Sequence, residues 1–130
     1  MRILVGYDSS NVSKEAVKIA VQYALAFKAR IYVVMSMVGG PEVPREEFAR
    51  SEKELEYVKS ALIPESVESE IHLSVRGFEP GEDIVNFAKD NQIDLIIVGV
   101  KRRSKVGKLV FGSNAQYIIL KAPCPVMSVK

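Results

Sequence analysis

A chain of 130 residues, 48% hydrophobic and 26% charged, is long enough to bury a core and ordinary for a globular protein, so residues 1–130 are expected to form one domain. A net charge of +2 is too small for a face that tracks nucleic acid, and no apolar run nears the roughly 20 residues of a membrane span. The single cysteine, Cys124, excludes an intrachain disulfide and fits a reducing cytoplasm, so the expected location is cytoplasmic.

The chain opens on a short apolar run, Arg2 to Tyr7, bounded by Asp8-Ser9-Ser10, the pattern of a buried parallel strand entering a helix start. From Asn11 to Phe27, apolar residues recur at Val12, Ala16, Ile19, Ala20, Tyr23, Ala24 and Phe27, which is helical spacing. A second β-rich run, Ile31 to Val38, closes at Gly39-Gly40-Pro41. Pro44 to about Leu62 is helical in period, with Phe48, Leu55, Val58 and Leu62 on one face, and Ile63-Pro64 ends it. Ser69 to Arg76 reads as a third strand stopped by Gly77. Pro80 suits a first helical turn, where Glu82 and Asp83 favour the positive end of the dipole. A fourth strand, Ile93 to Val98, leads into an irregular loop over 99–112. A last helix runs from Ser113 to about Lys121, and Pro123 and Pro125 admit a final strand, Val126 to Val129.

Strands alternating with helices imply an α/β fold: an open parallel sheet with helices on both faces and right-handed crossovers. In such a sheet a ligand belongs at the carboxyl ends of the strands, where the strand order reverses. Asp8 and Gly99 both lie at strand ends. Gly99 lets a ligand approach the backbone closely, or marks a tight strand exit. Gly112-Ser113 at a helix start offers amides, a hydroxyl and the positive dipole end to an anion. Between these glycines sit Lys101, Arg102, Arg103, Lys105 and Lys108 with no acid, a composition that reads as a phosphate site, or as a solvated loop. Gly107-Lys108 does not make a Walker A motif: its distance from Gly99 is wrong, and Leu109 replaces the magnesium-binding Ser or Thr.

The stretch VGVKRRSKVGKLVFGSNA, Val98 to Ala115, resembles the Gly-x2-Gly-x9-Gly-Ser motif of ATP-binding universal stress proteins, with Gly99 and Gly112-Ser113 in place and Arg102 where the second glycine stands. ILVGYDSS (Ile3 to Ser10) is similar to that family's first strand, KARIYVV (Lys28 to Val34) to its second and APCPVMSV (Ala122 to Val129) to its closing strand. The resemblance implies five strands in the order 3-2-1-4-5, a Rossmann-like arrangement that sets Asp8 opposite Gly99. It implies ATP or a related adenine nucleotide as ligand, with Mg2+ held by the phosphates and by no protein cage. The implied contacts are Gly6, Tyr7, Asp8, Ser36, Val98, Gly99, Arg102, Gly112, Ser113 and Asn114. Adenine would occupy an apolar slot between strands 1, 2 and 4, with the backbone at Ser36 on its edge. Asp8 would contact ligand near adenine or cap the first helix, and Asn114 would add a polar contact or cap the last. The resemblance further implies a homodimer through Val126–Val129, an apolar strand at the sheet edge.

Arg102 supports two readings. Its guanidinium pairs with phosphate oxygens, or it fills the pocket or points to solvent, leaving a weaker site or a same-fold dimeric interaction protein without nucleotide. Catalysis finds little support. His72, the only histidine, lies in a strand remote from the loop, and no Cys/His cluster has zinc spacing. No residue stands out to orient an attacking water, so no robust enzyme is expected, with slow ATP hydrolysis as the remaining alternative.

Overall fold

The computed structural model describes residues 1–100 and 112–130, together with the backbone of two short strands between them. In chain order the elements are β1 (Arg2–Gly6), α1 (Asn11–Phe27), β2 (Arg30–Met37), α2 (Arg45–Tyr57), a π-helical turn (Val58–Leu62), β3 (Ser69–Val75), α3 (Pro80–Asp90), β4 (Leu95–Gly99), β5 (Arg102–Arg103), β6 (Leu109–Val110), α4 (Ser113–Lys121) and β7 (Val126–Val129). The main sheet has five strands in the order β3-β2-β1-β4-β7, all parallel. This is the expected order, β7 being the fifth strand of that sheet.

The central strands are nearly uninterrupted apolar runs because both of their faces are covered. Ile3, Leu4 and Val5 of β1 and Ile96 and Ile97 of β4 have no exposed surface. Alternate side chains feed two cores. On one face Ile3, Val5, Ile31, Val33 and Ile97 meet Ala16, Val17 and Ala20 of α1 with Leu55 and Val58 beyond; on the other, Leu4, Tyr32, Val34, Ile96 and Val98 meet Ile84, Val85 and Ala88 of α3 and Ile118 of α4.

Helix α1 begins where Ser10, in extended conformation, accepts a hydrogen bond from the Ser13 amide at 3.1 Å. Small residues on its inner face bring it close to the sheet. Phe27, included in its apolar spacing, is 61% exposed and stacks at an angle on Tyr23 with centroids 6.0 Å apart.

Two segments differ from expectation. The second helix is α-helical only as far as Tyr57 and closes in a π-turn from Val58 to Leu62. An i→i+5 turn sets Val58 and Ile63 one turn apart, and both are buried in the α1–α2 core before Pro64 stops the helix. The loop over 99–112, expected to be irregular, contains an antiparallel ladder pairing Arg102 with Val110 and Arg103 with Leu109.

Candidate functional site

Strand β1 lies between β2 and β4, so the chain leaves its carboxyl end at the point where the sheet order reverses. Over these ends, on the α3–α4 face, is a cavity of about 350 Å³, within the range of small-molecule sites. Val34, Ile84, Val98 and Ile118, all at most 4% exposed, form its apolar part. Gly6, Tyr7, Asp8, Ser36, Val98, Gly99, Gly112, Ser113 and Asn114 all line it. The side chain of Arg102 and the cations Lys101, Arg103, Lys105 and Lys108 lie outside the described residues.

The geometry gives several of these residues a structural duty of their own. Asp8 accepts from the Ser10 amide at 3.0 Å and from the Ser10 hydroxyl at 2.5 Å. Ser10 in turn caps α1, so Asp8 orients the cap without being the cap itself. The Tyr7 amide donates to the Val34 carbonyl at 2.9 Å, tying two strand ends together at the cavity. Its ring belongs to the opposite core, with its hydroxyl donating to Glu54 Oε1 at 2.6 Å. Burial, then the bond to Glu54 and that residue's charge, raise the Tyr7 pKa above the ordinary phenol range.

The glycines divide. A Cβ on Gly99 would stand 2.0 Å from Val12 Cγ1 and 3.2 Å from the Val12 carbonyl carbon. The close approach that Gly99 permits is therefore that of the first turn of α1. Gly112 is different: its φ of −65° suits any residue, and among the described residues a Cβ there would meet nothing within 4 Å. As the N-cap residue of α4 it carries no side chain to cover the first amides of the helix.

Asn114 caps a helix other than its own. Its Oδ1 accepts from the Gly81 amide at 2.8 Å, serving the first turn of α3, whose N-cap Glu79 makes no side-chain capping bond. A Cβ on Gly81 would come within 2.8 Å of the Asn114 carbonyl oxygen, so the two helix starts are in close contact.

Sequence reasoning missed Asp83, which it read only as a charge favourable to a helix start. The residue is completely buried beside the cavity. Ser36 Oγ donates to its Oδ2 at 2.6 Å, and Arg76 donates to Oδ1 from Nε at 2.8 Å and again from Nη2. Burial pushes this carboxyl pKa up, but the bonds from Ser36, Ser74 and Arg76 and the guanidinium charge outweigh it, leaving Asp83 below the ordinary carboxylate range. The local signal was a carboxylate one helical position before the apolar Ile84, too close to the buried side of α3 to be solvated. Among the described residues no group of His, Cys, Asp and Glu could hold a metal ion.

An open parallel sheet with an apolar crevice at its switch point and a helix N-terminus on the rim defines a doubly wound α/β protein, its crevice lying where sheets of this class hold their ligands. A sequence model described as the universal stress protein family matches residues 1–130. The chain belongs to that family. A universal stress protein of Archaeoglobus fulgidus superposes with a TM-score of 0.91 at 37% identity, covering 100% of this chain and 98% of its own. A structure of the universal stress protein from the same organism in complex with dAMP gives 0.85 at 34% identity, with 100% and 98% covered. A universal stress protein of Thermus aquaticus is 33% identical over 134 residues, 98% of this chain and 97% of its own.

Proposed function

We propose that this chain is a cytoplasmic stress-response module that binds ATP or a related adenine nucleotide in the cavity at the ends of β1, β2 and β4, and that it works by binding and not by catalysis. The observation that carries the reading is Gly112. Neither its backbone angles nor any atom of the described residues requires glycine there, whereas a phosphate approaching the amides of α4 would favour it. The apolar wall of Val34, Ile84 and Val98 suits a purine face, and the Archaeoglobus fulgidus relative in complex with dAMP supports an adenine nucleotide as ligand. Mg2+ would come with the nucleotide, held by its phosphates. The edge position of β7 supports a homodimer formed through Val126–Val129. Arg102, in place of the motif glycine, favours a second reading, a dimeric interaction protein of this fold without nucleotide.

Calorimetric titration of ligand-free protein with ATP separates the two. Micromolar binding, weakened about tenfold or more in Gly112→Val with an unchanged melting temperature, is the expected result. No heat with ATP, ADP or AMP would move the chain to the second reading.

A further inference from the structure

Alternation along β2 puts Ser36 on the same face as Tyr32 and Val34, the face that carries the cavity, and Ser36 lines that cavity. Its hydroxyl has one hydrogen. The partner at 2.6 Å is Asp83 Oδ2, on a carboxylate with no exposed surface that also takes two bonds from Arg76. An ionised carboxylate only accepts, so the shared hydrogen must be the serine's. Arg76 keeps Asp83 ionised through charge-assisted bonds. The Ser36 hydroxyl is therefore turned towards α3, and what its oxygen has left to offer the cavity is lone pairs.

We infer that Ser36, its rotor fixed by Asp83, is a specificity-determining residue that selects a 6-amino purine over a 6-oxo purine. A 6-amino group donates to the waiting lone pair. A 6-oxo group sets acceptor against acceptor and leaves both unpaired, which costs more than a missing bond. This rests on the adenine-nucleotide reading above and adds to it the cause of base selection. Arg76 and Asp83 do not touch the ligand; they act through Ser36 as positioning residues.

The experiment is calorimetric titration with AMP and IMP, whose bases differ in the 6-substituent and in the N1 proton that goes with it. Wild-type protein should bind AMP at least about tenfold more tightly than IMP. Ser36→Ala removes the lone pair and should bring the ratio close to one, mainly through weaker AMP binding. Asp83→Asn is the sharper test. An amide that accepts from Arg76 turns its NH2 towards Ser36, which frees the serine hydrogen to point into the cavity. The ratio should then fall below that of Ser36→Ala, towards IMP, an inversion that simple loosening of the site would not produce. Because removing a buried charge risks the fold, the melting temperature of each variant is recorded, and Ser36→Ala decides the matter if Asp83→Asn does not fold. Equal wild-type affinities, or a ratio unchanged in Ser36→Ala, would overturn the inference while leaving nucleotide binding intact. No binding of either nucleotide to wild-type protein would overturn both.

Discussion

At Gly99 the absent side chain is what lets α1 pack against the end of β4. Val12 Cγ1 would lie 2.0 Å from a Cβ, and the Val12 and Ser13 backbone atoms stand at 3.2 and 3.3 Å. Small rotations of Val12 cannot clear both the methyl and the main chain, so α1 would have to move off β4. Overpacking of this kind costs about 1–3 kcal/mol. Gly99→Ala is accordingly expected to be destabilised by that amount in equilibrium urea unfolding, and wild-type stability would mean that α1 slides freely over the strand end. The sequence reads Gly99 as open to a ligand or as a tight strand exit and does not reveal α1 as the close neighbour, because Val12 and Gly99 meet only once β1 and β4 are paired. Asp83 escaped for the same reason. Its neighbours Ser36 and Arg76 come from β2 and from beyond β3, so its place beside Ile84 hints at burial but not at the donors that receive it.

Among the elements, α3 and α4 are coupled most specifically. Pro80 begins α3, where its missing amide costs nothing, yet the next amide, at Gly81, still needs an acceptor. Asn114 supplies it from a position 33 residues away. Asn114→Ala removes the bond and should lower stability by about 1 kcal/mol, as the loss of a helix cap does, while Asn114→Asp, which keeps an acceptor, should not. Thermal unfolding of the pair checks this; equal melting temperatures for Asn114→Ala and the wild type would show that water replaces the cap without loss. The helices themselves were plain in the sequence, through Pro80, Ile84 and Phe87 in one and Gly112-Ser113 in the other. Their mutual capping was not, since a side chain serving another helix leaves no periodic trace. The π-turn at Val58 was hidden likewise: its residues keep an acceptable α-helical pattern until packing brings Ile63 to the same face.

Across the whole molecule, the strand order was legible from the alternation of apolar runs and helices together with the family resemblance, because buried parallel strands have few other arrangements open to them. That order leaves β3 and β7 at the edges. The carbonyls of Pro125 and Val129 receive the amides of Ile96 and Val100, so the two-residue period turns the amides of Val126 and Ser128 away from β4. Ser128 is exposed, which makes Ser128→Pro the substitution that blocks edge pairing with least damage to the core. Light scattering should report a dimer for the wild type and a monomer for Ser128→Pro; a dimer in both would place the contact elsewhere. The two motif glycines also follow different clocks. Gly99 answers to the protein's own helix, whereas a Cβ on Gly112 would meet no atom of the described residues, and under the proposed function Gly112 answers to the ligand. A lineage of this fold that gave up its ligand would be held to glycine at the first position by stability alone, and released at the second. The residue at position 112, read by itself, then dates the loss of binding in a way that the glycine at position 99 never could.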